Sequence, residues 1–309
     1  MIGRRSISLE PREVPLGGVR AMNVLRTLPN KDLPTVGAWC FLDRFGPGPV
    51  KMRVEPHPHI GLQTVTWPLV GDVRHRDSLD SDVTLTRGQL NLMTAGHGIS
   101  HSEYSLGEEE IPLDALQLWV VLPESARDGA GGFEQHTSLP TVALPASSGP
   151  DATATVVLGE FAGTRSPATV HTPIVGAEIA LPAGSRVALP LDQAWEHAIV
   201  LVEGDVAVDD LSLVRNEMLY LGDSRAQVSV SSTEGALIFV LGGEPFEEDL
   251  VMWWNFAGRT HDEIAQARAD WETPDAATAR FGHVVSHGAE RIPAPELPNV
   301  RLKPRRRHI

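Results

Sequence analysis

The sequence predicts an all-β protein: two similar β-barrels in tandem, with a short helical region near the C-terminus. Three observations carry this. Short apolar and β-branched runs recur along the chain, among them LQTVTWPLV, LQLWVVL, ATVVLGEF, HAIVLVE and ALIFVLGG. Glycine and proline, 28 and 24 of 309 residues, punctuate those runs as turn signals, the pattern of a sandwich or barrel. The two halves also echo each other. VTWPLVGDV leads through a polar hairpin to RGQLNLMTAG, and IVLVEGDVAV leads through DDLSLV to RNEMLYLG, with Gly71-Asp72-Val73 matched by Gly204-Asp205-Val206. A repeated strand, turn and strand of this kind reads as a duplicated unit.

Taken in order, the first barrel is expected over residues 1–145 and the second over 146–309, with the Ser-, Pro- and Gly-rich stretch LPASSGPDA at 144–152 as the linker. Two helices are expected late in the chain. In RTHDEIAQARADWE, Thr260 and Glu263 have capping-box spacing, Ile264, Ala267 and Trp271 share a helical face, and Pro274 ends the helix. TPDAATARF reads as a short second helix. A length of 309 residues favours two domains, and 42% hydrophobic residues suffice for real cores.

A formal charge of −14 argues against broad nucleic-acid binding, and the basic end LKPRRRHI reads as a solvated tail. One cysteine, Cys40, excludes an intramolecular disulfide and fits a reducing cytoplasm. The start MIGRRSISLEPREVPLGG has no apolar core of a secretory signal, and no run is long enough to span a membrane. A cytoplasmic protein without a membrane partner is expected.

The chemistry concentrates in the first half. EPHPHIGLQ places His57 and His59 on one face of an extended segment, and Pro58 keeps His57 out of the helical region. NLMTAGHGISHSEYS then repeats the i, i+2 spacing with His101 and Glu103. If the two strands are neighbours in a barrel, three imidazoles and a carboxylate converge, a donor set suited to Fe(II), Mn(II), Ni(II), Cu(II) or Zn(II). Counting back from the Gly-Asp turns aligns Gln63 with His197, and His57 and His59 with Leu191 and Gln193. The second barrel therefore lacks the imidazole pair, and one metal per chain is expected in the first barrel alone. His75 reads as a structural residue or a support beneath the ligands. His136, His171, His261, His283, His287 and His308 have no partner spacing and read as solvated or structural; Trp253 and Trp254 read as packing residues, with substrate stacking as the alternative.

PHPHIGLQTVTWPLVGDVRHRDSL, GQLNLMTAGHGISHSE, LQLWVVLPES, FEQH and GGEPFEEDLVMWWNFAGRTHDEI together resemble the pirin family of the cupin superfamily over nearly the whole chain. The resemblance implies two cupin barrels (double-stranded β-helix, jelly-roll), with iron in the N-terminal barrel and none in the C-terminal one. It carries the metal ligands onto His57, His59, His101 and Glu103, and chemistry on a flavonol hydroxyl would place Glu103 to accept the proton or orient the ligand. It implies a quercetin 2,3-dioxygenase-type activity on a flavonol-like molecule with O₂, and alternatively a redox-sensing regulator that binds a transcription factor or metabolic enzyme. Gln63, standing where the general cupin motif has a glutamate ligand, Arg44 and His97 depart from the family pattern; changes at Arg44 and His97 are expected to alter the pocket's charge or entrance.

Overall fold

Strands dominate because apolar side chains recur at every second position, which buries one face of a pleated segment. The computed structural model, which describes residues 6–16 and 22–305, is all-β apart from two short helices. The chain forms two compact units that interleave along the sequence. One takes the described residues up to Arg12 together with Leu25–Cys40 and Ser138–Phe246; the other takes Glu13–Val24, Phe41–Thr137 and the residues from Glu247 onward.

A single boundary between residues 145 and 146 does not describe this division. The stretch read as a linker contains a strand, Ala146–Ser148, paired with Arg186–Pro190. The C-terminal residues complete the unit begun by the first half. The reason is apolar burial: Phe256, Ile264, Trp271 and Phe281 form one buried cluster with Ile60.

The unit built mainly from Ser138–Phe246 holds two antiparallel sheets. One runs in the order Ile7–Leu9, Met218–Gly222, Glu196–Gly204, Ala236–Gly243, Ile174–Leu181, Ala152–Phe161, Thr141–Leu144, and the other Ala146–Ser148, Arg186–Pro190, Gln227–Ser231, Val206–Val208, Leu211–Leu213. Its buried cluster, with Val156, Ile179, Leu189, Ile199, Val230 and Val240 among its members, is aliphatic apart from Phe161. Each such side chain contributes roughly 1.5–3 kcal/mol by leaving water. Buried Trp39 donates its indole N–H to both Val175 O (3.0 Å) and Gly242 O (3.2 Å). Its ring lies so close to Gly176 that an added Cβ would come within 2.9 Å.

In the other unit, one sheet includes, in order, Gly132–His136, Leu90–Thr94, Leu62–Val70, Ile111–Val121 and the Trp39–Val50 strand from Phe41 onward, and the second runs Arg53–His59, Ile99–Ser105, Val73–Asp77, Asp82–Leu85. Much of its interior is polar: His57, His59, Gln63, Thr66, His75, Asp77, Asn91, His101, Glu103 and Gln117 are all buried. Buried polar groups cost stability unless satisfied, so this interior serves something other than packing.

The duplicated turns are present as read. Gly71 and Gly204 have φ of 78° and 81°, and a Cβ there would strike the carbonyl oxygens of Pro112 and Gly235 at 2.3 and 2.0 Å. The ladders equate Gln63 with His197: each faces the last residue of a five-residue neighbouring strand, Thr94 and Gly222. Helix α1 (His261–Glu272) is capped by Thr260, whose side chain accepts from Glu263 N, and it buries Ile264, Ala267 and Trp271. Glu263 reaches back one residue further than a capping box requires, to Arg259 N at 2.8 Å. Pro274 ends α1 and also opens α2 (Pro274–Phe281) as a first-turn proline. Among the described residues, no helix is long and apolar enough to cross a membrane. His308 lies outside the described residues.

Candidate metal centre

The Ile99–Ser105 strand runs between Arg53–His59 and Val73–Asp77. Its register sets His101 opposite His57 on one side and Asp77 on the other, while Glu103 faces His75. Period-2 alternation then sends His57, His59, His101 and Glu103 into the same interior. The ring centroids of His57, His59 and His101 lie 4.3–5.1 Å apart. One nitrogen from each of these three falls within a 4.8 Å cluster, and His75, His101 and Glu103 form a second such cluster sharing His101. The three imidazoles thus meet directly, whereas Glu103 joins them through His101.

Burial holds these imidazoles neutral. The pKa of His57 is lowered to about 4 by loss of water, against a hydrogen bond to Glu55 O that works the other way. His59 and His101 are pushed well below the ordinary histidine value, first by burial and then by neighbouring imidazoles. His57 Nδ1 sits 2.9 Å from Glu55 O, so Nδ1 carries the proton and Nε2 keeps its lone pair. His59 Nε2 and His101 Nε2 are 3.1 Å apart. Two nitrogens about 2.1 Å from one octahedral ion would be separated by about 3.0 Å, so this pair suits adjacent ligand positions. The donors therefore fit a divalent transition metal. Burial raises the pKa of Glu103, partly offset by nearby His75 and by Thr66, whose hydroxyl donates to Glu103 Oε1 at 3.0 Å.

Beneath the imidazole cluster, His75 Nδ1 is 3.4 Å from His101 Nδ1 and His75 Nε2 is 3.1 Å from Asp77 Oδ2. Burial would raise the Asp77 pKa. The hydrogen bond from His75, with those from the Ser81 and Leu79 amides, outweighs it and holds the carboxyl below its ordinary value.

A cavity of about 70 Å³ sits over the cluster, with Phe41, Trp119, Trp254 and Asn255 in its wall. Phe41 and Trp119 stack at 3.8 Å, and His59 meets Trp119 edge-on at 5.1 Å. Trp254, read from sequence as a packing residue with substrate stacking as the alternative, packs against the cluster around Phe256 and also forms a cavity wall. It occupies the left-handed region (φ 53°) at a hairpin tip, an unusual place for a bulky side chain, and no local sequence signal announced it. Two expectations about the pocket are corrected. Arg44 is buried in a bidentate pair with Asp114 (2.7 and 2.5 Å), and its charge is used there. His97 is exposed beside Arg127 and Arg280, away from the cavity wall. Gln63 is fully buried and donates to Thr94 Oγ1 at 2.9 Å. Among the other histidines, His287 is structural, with Ser102 Oγ 2.8 Å from its Nε2, and His261 Nδ1 accepts from Leu302 N. A larger cavity, about 740 Å³, opens in the other unit beside Trp195 and His197 but gathers no such ligand set.

His57 and His197, both held at about 4, make the metal-free protein acid-sensitive. The unfolded chain binds protons on these groups from the ordinary histidine value near 6.5 downward, while the folded chain resists until about 4. The stability they contribute is complete above about pH 6.5 and is lost as pH falls to about 4, on the order of 3 kcal/mol for each. Urea midpoints of chelator-stripped protein are expected to drop across that window, less steeply in His197→Gln. A flat profile would rule the effect out.

Paired antiparallel sheets folded as a jelly roll, twice in one chain, with an imidazole cluster inside one barrel, define a bicupin. Comparison narrows the class. The family profile described as Pirin matches residues 18–120, and the Pirin C-terminal cupin domain matches 176–276. A candidate quercetin 2,3-dioxygenase of Pseudomonas aeruginosa is 40% identical over 93% of this chain and 89% of its own length. A pirin-like protein of Caulobacter vibrioides is 34% identical over 88% and 93%. The crystal structure of a quercetin 2,3-dioxygenase from Acinetobacter baumannii superposes with a TM-score of 0.88 at 35% identity, covering 96% of this chain and 97% of that one. The chain belongs to the pirin family.

Proposed function

We propose that this pirin is a metal-dependent dioxygenase of the quercetin 2,3-dioxygenase type, with His57, His59, His101 and Glu103 as the metal ligands. Fe(II) is the favoured ion, and Mn, Ni, Cu and Zn suit the same donors. The observation that carries this reading is the convergence of three neutral, buried imidazoles beside a buried carboxylate. The names of the Pseudomonas and Acinetobacter relatives support the substrate class, a flavonol with O₂. When bound, the metal would supply a Lewis acid that favours the deprotonated form of a hydroxyl and a meeting place for O₂. Glu103, held by Thr66, accepts the hydroxyl proton. Phe41 and Trp119 offer an apolar wall to an aromatic ring, and the single cysteine, Cys40, supports the cytoplasm as the working compartment.

Anaerobic mixing of metallated protein with quercetin is expected to shift the long-wavelength flavonol band. Admitting O₂ should then bleach it with proportional release of carbon monoxide, and metal-free protein should do neither. Absence of any shift across several flavonols counts against the substrate. One observation favours a second reading. A cavity of about 70 Å³ is far below the roughly 300 Å³ of a drug-sized ligand site, so as folded it suits a redox-sensing regulator that binds a protein partner. A band shift without O₂-dependent loss would favour that role.

A further inference from the structure

We infer that Asp77 and His75 are positioning residues that select the tautomer of His101 and so make it a metal ligand. This rests on the metal-centre reading above. The argument is a proton count along one line of three buried groups. Asp77 Oδ2, an acceptor, takes the N–H of His75 Nε2 at 3.1 Å. A neutral imidazole carries one N–H, so His75 Nδ1 is left as an acceptor. That acceptor faces His101 Nδ1 at 3.4 Å, which must then bear the His101 proton. His101 Nε2 is consequently a bare lone pair, and it is the atom 3.1 Å from His59 Nε2. His57 reaches the same tautomer by a different route, through the Glu55 carbonyl.

The line is held rigidly at its far end. Asp77 Oδ1 accepts from Leu79 N at 2.8 Å and Ser81 N at 3.0 Å, which fixes the carboxylate in its turn. The His75 ring stacks on Phe133 at 4.4 Å with 14° between planes. The strand register makes the line, since Asp77 is opposite His101 and His75 opposite Glu103. The alternative use of the same atoms is His75 as a ligand, with His101 and Glu103.

Full-length protein stripped of metal and titrated with Co(II) separates these. Asp77→Asn keeps an oxygen for the Leu79 and Ser81 amides but turns an N–H toward His75 Nε2. The proton moves to His75 Nδ1, where it opposes the His101 Nδ1 proton, and Co(II) affinity is expected to fall about 10–100-fold. His75→Phe keeps the stack on Phe133 and removes the acceptor; His75→Asn loses the stack and keeps an acceptor near the Nδ1 position. Affinity should therefore rank Asn above Phe at residue 75, while melting temperature ranks Phe above Asn. X-ray absorption at saturating Co(II) should count the same number of imidazoles in parent and variants. Parent-like affinity in Asp77→Asn, or affinity that follows melting temperature, overturns the inference. Loss of one imidazole in His75→Phe makes His75 a ligand and also overturns it. Co(II) binding that survives in His57→Ala/His59→Ala removes the metal-centre reading itself, and this inference with it.

Discussion

Glu103→Gln is expected to lower flavonol turnover by about 10²–10⁴-fold while leaving the metal in place. The substitution keeps size and one carbonyl oxygen, so Thr66 can still donate to it, but it removes the charge and the proton acceptor. His57, His59 and His101 remain to hold the ion. The metal-free variant should also be no less stable at neutral pH than the parent. Burial already raises the Glu103 pKa, so in the absence of metal the folded state disfavours the ionised form. Stability from a carboxyl of this kind is present at low pH and declines as pH rises past the ordinary value. Turnover, metal content and melting temperature measured on the same preparation check all three statements. Unchanged turnover would remove Glu103 from the chemistry, and a destabilised metal-free variant would make its role structural.

His57→Ala/His59→Ala should abolish tight metal binding, taking the content from one ion per chain to none. The two rings supply two of the three converging nitrogens, and His101 with Glu103 alone cannot complete a transition-metal site. Changing His171 and His197 in the other barrel should leave the ion count as it is. Elemental analysis reads both results. Two tightly held ions in the parent, or one in the double variant, would contradict the assignment of the metal to the first barrel.

Much of this was legible in the sequence, for reasons that differ from element to element. The HPH and HSE spacings mapped directly onto strand faces because strand periodicity is 2 whatever the neighbours do. Thr260, Ile264, Ala267 and Trp271 were readable because caps and helical faces are local. The domain boundary was not, because which unit claims the residues after Phe246 is decided by Ile60 meeting Phe256 and Phe281 across the fold. Arg44 and His97 were expected at the pocket. Their places depend on Asp114 and on the loop bearing Arg127, both distant in sequence. The place of Trp254 in the cavity wall depends on the fold in the same way, since a two-residue hairpin tip does not announce what its side chains will cover.

The interleaving of the two units has a consequence for how the protein comes into being. The unit that gathers the histidines has the whole His57, His59, His101 and Glu103 cluster by residue 103, yet it lacks Trp254, Asn255 and Ile292 of its cavity wall until the chain has passed through residues 138–246. At translation speeds of about 5–20 residues per second, the nascent first half waits on the order of 5–20 s for the segment that closes it. During that interval its imidazoles are open to solvent and Ile60 has no Phe256 against it. Metal capture on the ribosome, before closure, and protection of that apolar edge by a chaperone are the kinetic problems such an order of synthesis creates. A barrel with its closing segment next in sequence would face neither.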